Sequence, residues 1–120
     1  MFNYDQVFGK KNNVLFVMAH PDDILVYYGA LVSKLRRDKK NVYVVTVTDG
    51  SRGSGDKHIS EEELAKIRFN EEISALQFLN VPEENVMCLN YKDGEVEGNY
   101  KLIGEIAKYI RKYKADIICT

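Results

Sequence analysis

The sequence predicts a three-layer α/β fold: a mainly parallel sheet of about four strands carrying about three helices on its two faces. Three observations lead there. The apolar runs at Val14–Met18, Val42–Thr48 and Val86–Leu89 lack sustained polar alternation, as strands covered on both faces do. Between them lie stretches with the 3.6-residue period of amphipathic helices. The two kinds of segment alternate along the chain, which is the Rossmann-like pattern.

Taken in order, the first strand, Val14–Met18, leads into Ala19-His20-Pro21-Asp22-Asp23. Pro21 cannot continue a strand ladder and turns the chain into a helix with the stripe Ile24, Leu25, Tyr28, Leu31, Val32 and Leu35. The charged turn Arg36–Lys40 ends at Asn41, and Val42–Thr48 is the second strand. The loop Asp49–Asp56, with Gly50, Gly53 and Gly55, is rich in residues that tolerate positive φ, and reads equally as a flexible connection or a lid over a substrate. It matches no phosphate-binding glycine motif. Ser60 with Glu63 forms a capping box that starts the next helix. Projected at 100° per residue, Leu64, Ile67, Ala75, Phe78 and Leu79 share a face that also holds Arg68 and Glu71. Charges on a core-facing stripe are costly unless paired. A mutual salt bridge is one reading; the other has Arg68 contacting a substrate oxygen and Glu71 holding Arg68. Val86–Leu89 is the third strand, and Asp93-Gly94 is a turn dipeptide. Asn99 caps a last helix with the stripe Leu102, Ile106, Tyr109, Ile110 and Tyr113, its tyrosine hydroxyls expected in water. Ala115–Thr120 then reads as a fourth strand, whose free edge predicts self-association into a homo-oligomer.

Composition narrows the function classes. With 120 residues and 45% hydrophobic content the chain supports one domain, residues 1–120, and argues against disorder. Lys and Arg total 17 against 18 acidic residues, a formal charge of -1, so no nucleic-acid surface is expected. No apolar run approaches the roughly 20 residues of a membrane span, and the first ten residues hold no signal-peptide core. Cys88 and Cys119 fall far apart in strand-like runs and read as buried thiols of a cytoplasmic, reducing compartment. His58 lies in a polar loop whose spacing suggests no ligand role.

Chemistry concentrates at His20, Asp22 and Asp23. The bland reading makes one aspartate a helix cap and the other a first-turn carboxylate favoured by the helix dipole. A cap needs one acidic group, however. An imidazole and two carboxylates within four residues, at the carboxyl end of a buried strand, are better explained by a metal or proton-transfer site.

Residues 20–32, His-Pro-Asp-Asp-Ile-Leu-Val-Tyr-Tyr-Gly-Ala-Leu-Val, together with Ala19 resemble the A-H-P-D-D signature of the LmbE-like (PIG-L) N-deacetylases. Three further landmarks follow in order. Val42–Gly53 is similar to that family's second strand and T-x-G-E-x-G loop, Arg68, Glu71 and Ala75 to its R-x-x-E-x-x-x-A helix, and Ala115–Thr120 to the strand before its H-x-D-H element. The resemblance implies zinc-dependent hydrolysis of the acetamide of an N-acetylated amino sugar or related conjugate, other divalent metals also serving. It implies His20 and Asp23 as metal ligands, Asp22 as general base, and Arg68, Glu71 and Asp93 beside the substrate. Zinc suits these donors, and Asp22, adjacent to a ligand, can take a proton from water and return it to the leaving amine. The family's third ligand follows the strand matching Ile117–Thr120, so residues 1–120 are expected to be an amino-terminal part that binds zinc weakly and catalyses poorly. The sequence departs from the family pattern at Ile24 and Leu25, where an acidic residue is usual, at Ala30 for a glycine and at Ser51 for the loop glutamate. The alternative is a non-catalytic, Rossmann-like sugar-binding or interaction module.

Overall fold

A computed structural model describes residues 1–120. Strands β1 (Asn13–Met18), β2 (Asn41–Thr48), β3 (Val86–Tyr91) and β4 (Ile117–Cys119) form one sheet, parallel throughout, in the order β3-β2-β1-β4. Helices α1 (Tyr4–Phe8), α2 (Asp23–Arg37), α3 (Glu61–Phe78) and α4 (Tyr100–Lys112) complete the layers.

Side-chain alternation along the strands sorts residues between two cores. Val14, Phe16, Met18, Val42, Val44 and Val86 point to the face covered by α2, where they meet Ile24, Val32 and Leu35, and by α3, which adds Leu76. Leu15 and Val45 point to the other face, against Tyr113, with Tyr109 and Ile110 of α4 beside them. Each fully buried Val, Leu, Ile or Phe contributes roughly 1.5–3 kcal/mol, and Phe16, Leu15, Ile24 and Leu35 have no exposed surface. Tyr113 stacks on Tyr43 with ring centroids 4.1 Å apart. Its hydroxyl is buried and unpartnered, not solvated as the sequence suggested, because the stack draws the whole ring against the sheet.

Both expected caps form. The Ser60 and Glu63 side chains exchange bonds with each other's backbone amides, and the Asn99 side chain accepts from the Leu102 amide. Ser60→Ala is expected to lower stability by about 1 kcal/mol, read by urea denaturation; an unchanged midpoint would mean that solvent replaces the cap.

Two features differ from the sequence reading, the number of helices and the rotation of α3. There are four α-helices: Asn3 and Gln6 form a capping box that starts α1, whose Tyr4 and Phe8 pack onto the larger core. In the charged turn after α2, Lys40 is buried and its ammonium donates to the carbonyls of Gly9 and Lys11 at 3.2 and 2.7 Å. Finally, α3 is rotated by roughly a quarter turn from the projected face. It buries Leu64, Glu72 and Leu76 and leaves Ile67 and Phe78 exposed. Apolar residues nearly ring this helix, so periodicity does not choose between its faces.

Candidate active site

The chain runs from β1 to β2 to β3 in one direction across the sheet, then returns to place β4 on the other side of β1. This reversal makes the carboxyl ends of β1 and β4 the crevice where open α/β sheets bind ligands. His20 lies there, two residues beyond β1.

The backbone holds the crevice in shape through its own polar groups. Ala19 O accepts from both the amide and the hydroxyl of Thr48, at 3.0 and 2.8 Å, which ties the exit of β1 to the end of β2. Asp49 Oδ1 accepts from the Ser51 and Asp93 amides at 3.0 and 3.2 Å, joining the loops after β2 and β3. Burial pushes the Asp49 carboxyl up, but these amides outweigh it and the net shift is downward, as for a carboxylate held ionised. Gly50 has φ +66°, and a side chain there would meet the Pro21 ring at 3.1 Å. Glycine is therefore required where the β2 loop crosses the His20-Pro21 turn. Outside the cleft, Arg52 pairs with Glu95 and Glu61, and Lys92 reaches Glu61 at 2.7 Å, so the same two loops are joined again at the surface.

Within this frame His20 lies between two carboxylates. Its Nε2 is 3.1 Å from Asp93 Oδ1, and its Nδ1 is 3.5 Å from Asp23 Oδ2. Asp23 Oδ2 also accepts from the His20 amide at 2.9 Å, which fixes the carboxylate against the turn. A neutral ring donating from Nε2 to Asp93 presents its Nδ1 lone pair towards Asp23. Two donors, each about 2.05 Å from a tetrahedral zinc, lie about 3.3 Å apart. The observed 3.5 Å fits two ligands of one ion. No group of three or more His, Cys, Asp or Glu side chains is arranged to hold a metal ion; His20 and Asp23 would offer two of the three donors that a catalytic zinc takes from protein.

Asp22 occupies the N-cap position of α2 yet makes no capping hydrogen bond, and its backbone is already helical at φ -102° and ψ -13°. Its exposed carboxylate is free for other work. Asp22, His20, Pro21, Gly50, Gly53, Arg68 and Asp93 line a polar cleft of about 210 Å³. The structure thus brings His20, Asp22, Asp23, Arg68 and Asp93 into one place.

It does not bring Glu71 to Arg68. Arg68 makes no ion pair; its guanidinium donates only a long bond, 3.4 Å, to Gly53 O. Glu71 is exposed and makes no side-chain hydrogen bond or ion pair, although it borders the recess that Asp22, Arg68 and Glu72 line. The salt bridge, one of the two readings, does not form: Arg68 turns towards the cleft while the Glu71 carboxylate stays exposed at the edge of the recess. His58 is likewise exposed. The residue that the sequence reading missed is Glu72, which is 1% exposed. It accepts from Thr46 Oγ1 at 2.8 Å through Oε1, while Oε2 has no partner. With Asp22, Arg68 and Pro21 it lines a recess of about 180 Å³ behind the cleft. The spacing of Leu64, Arg68, Glu72 and Leu76, four residues apart, was the signal available for it.

A histidine set between carboxylates at the switch point of a parallel sheet, with an aspartate that makes no cap bond and an arginine without an ion pair lining the same cleft, forms the candidate site of this α/β protein. Similarity then assigns the family. The profile of PIG-L, described as GlcNAc-PI de-N-acetylase, matches residues 15–120, and the chain belongs to this family. The chain is 31% identical over 117 residues to diacetylchitobiose deacetylase of Thermococcus kodakarensis, covering 98% of this chain and 43% of the relative. The N,N'-diacetylchitobiose deacetylase of Pyrococcus horikoshii, solved with its inhibitor MPG, superposes with a TM-score of 0.91 at 32% identity, covering 98% of this chain and 43% of that chain. A 4-carboxy-2-hydroxymuconate hydratase from Pseudomonas putida shares the fold at TM-score 0.80 and 18% identity, covering 89% of this chain and 45% of that chain. The chain therefore spans less than half the length of these relatives. No helix is long and apolar enough to cross a membrane.

Proposed function

We propose that the site belongs to a divalent-metal-dependent hydrolase, with zinc the natural ion, that releases the amine of an N-acetylated amino sugar or related conjugate. The observation that carries this reading is the 3.5 Å separation of His20 Nδ1 and Asp23 Oδ2, with the uncommitted Asp22 lining the cleft beside them. Similarity to two diacetylchitobiose deacetylases supports it. Zinc held there would polarise the amide carbonyl and lower the pKa of water to near 7.

The chain's own residues account for the remaining steps. Asp22 accepts the proton of the attacking water, whose oxygen bonds to the carbonyl carbon. It then passes the proton to the nitrogen as the C–N bond breaks, leaving a carboxylate and an amine. Arg68, without a carboxylate partner, is available to a substrate oxygen at the cleft wall. Asp93 acts through His20: by accepting from Nε2 it orients the ring, as carboxylates behind metal-ligating histidines do. Its role is therefore more positional than the sequence reading suggested.

The test is zinc binding by calorimetry and metal analysis. His20→Ala and Asp23→Ala are each expected to weaken zinc binding by more than 100-fold, and Asp93→Asn by roughly 10–100-fold. Equal zinc affinity in all four proteins would remove the metal site and leave a sugar-binding module.

A further inference from the structure

The chain at the end of β2 holds both sides of the His20 ring. Thr48, the last residue of β2, fixes the backbone before His20 through its two bonds to Ala19 O. Asp49, the next residue, fixes the far side: its amide donates to Tyr91 O at 2.9 Å, and its Oδ1 accepts from the Asp93 amide at 3.2 Å. Asp93 Oδ1 then meets His20 Nε2 at 3.1 Å. An irregularity in β3 makes this alignment. Thr46 pairs with Cys88 and Thr48 with Tyr91, so β2 advances by two residues while β3 advances by three, a bulge that includes Asn90 at φ +57°. Left-handed backbone is uncommon outside glycine, and asparagine is among the residues that tolerate it. The Cys88 thiol braces the bulge, donating to Thr48 O at 3.5 Å and accepting from the Asn90 amide at 3.4 Å. Bulges beside active sites re-aim side chains. A regular strand here would be displaced by about 3.3 Å, with alternate side chains reversed, and would no longer bring Asp93 to the imidazole.

We propose that Asp49 is a positioning residue: it seats Asp93 against His20 Nε2 and so selects the ring tautomer whose Nδ1 lone pair is free for a metal ion. The inference rests on the hydrolase reading and adds to it a residue that acts through two others. The tautomer is contested, because a carboxylate faces each ring nitrogen, Asp93 at 3.1 Å from Nε2 and Asp23 at 3.5 Å from Nδ1. Each carboxylate is an acceptor that draws the single ring proton to its own side. The shorter contact keeps it on Nε2. Were Asp93 to drift, the proton would pass to Nδ1, and the nitrogen offered to the metal would be blocked. Asp49 is better placed to prevent this than the ion pairs at the surface. Its Oδ1 bonds the Asp93 amide directly and is braced by a second amide, that of Ser51 at 3.0 Å. The Arg52 and Glu95 side chains are 43% and 53% exposed, where an ion pair is screened and contributes little.

The experiment reads the His20 ring nitrogens by NMR in metal-free, histidine-labelled protein at pH 8.5, and zinc affinity by calorimetry. His58→Gln in every sample leaves one set of ring signals, since the chain has 2 histidines. The parent protein should carry its ring proton on Nε2. In Asp49→Ala, as in Asp93→Asn, the two nitrogen signals should move towards each other as Nδ1 takes a share of the proton. Zinc affinity should fall about 10-fold in Asp49→Ala, the lower end for a group behind a metal-ligating histidine. The double variant should bind zinc no more weakly than Asp93→Asn alone, because both changes remove one support. Asp49→Asn keeps an acceptor for both amides and should restore the parent signals. Asp49→Glu keeps the charge but moves the oxygens out by one methylene, and should not; these two variants decide the matter if the alanine variant does not fold. A shifted ring proton in proteins that bind no zinc would uphold the role of Asp49 and overturn the metal reading. Zinc binding with parent signals in Asp49→Ala or Asp49→Glu would overturn that role and leave the hydrolase standing. Losses of affinity that add in the double variant, or an equal proton shift in Arg52→Gln, would also overturn it, the latter assigning the support to the surface ion pairs.

Discussion

Asp22→Asn is expected to lower amine release by a factor of roughly 10²–10⁴, the usual contribution of a positioned acid-base group, while zinc binding and fold are retained. The structure separates this prediction from the structural alternative. If Asp22 were a helix cap, its removal would cost about 0.5–2 kcal/mol of stability and nothing else. The cap bond does not exist, however: the Asp22 side chain makes no hydrogen bond to the first turn of α2, and the Asp23 carboxylate instead reaches back to the His20 amide, ahead of the helix. Only the helix-dipole interaction of an exposed first-turn charge remains, typically 0.3–1 kcal/mol. Asparagine keeps the shape and hydrogen-bonding reach of Asp22 but cannot accept a proton, so kcat should fall far more than KM changes. Steady-state kinetics with thermal denaturation on the same samples decides the matter. A variant with the wild-type rate, or one whose activity loss is matched by loss of fold, would remove Asp22 from the mechanism.

How much of this was legible in the sequence depended on whether a feature was local. Strands β1, β2 and β3 and the caps at Ser60 and Asn99 follow from short-range patterns, and all are present. The gathering of His20, Asp22 and Asp23 was legible because four consecutive residues cannot separate. Asp93, 73 positions from His20, reaches it only because β3 and β1 end at the same edge of the sheet, and turn chemistry alone gave no hint of the 3.1 Å contact. The orientation of α3 was the main failure. With Ile67, Phe69, Ile73 and Phe78 spread around the helix, its rotation is decided by which side chains fit against β2 and α2, a tertiary choice that propensity does not encode. That rotation buries Glu72 in the recess behind the cleft, which Glu71 also borders.

Glu72 is the residue for which pH should matter most. Burial raises its carboxyl; the Thr46 hydrogen bond opposes this, the charges of Asp22 and Asp23 add to it, and the net result is a pKa pushed up to about 8, from 4.5. The folded protein therefore holds a proton on Glu72 that the unfolded chain has already released. Between about pH 4.5 and 8 the native state binds more protons than the unfolded state, so stability falls as pH rises through this window and levels off above it. At 1.36 kcal/mol per pKa unit the full cost is on the order of 5 kcal/mol. Glu72→Gln keeps the acceptor for Thr46 Oγ1 and resembles the protonated acid, but it cannot ionise. The variant and the wild type should therefore have similar stability near pH 5, and the variant should be more stable by several kcal/mol near pH 9. Urea denaturation across this range, with both proteins free of metal, provides the measurement. Parallel stability curves would show that Glu72 is not protonated in the folded state, and that its second oxygen finds a partner such as a buried water in the recess it shares with Asp22 and Arg68.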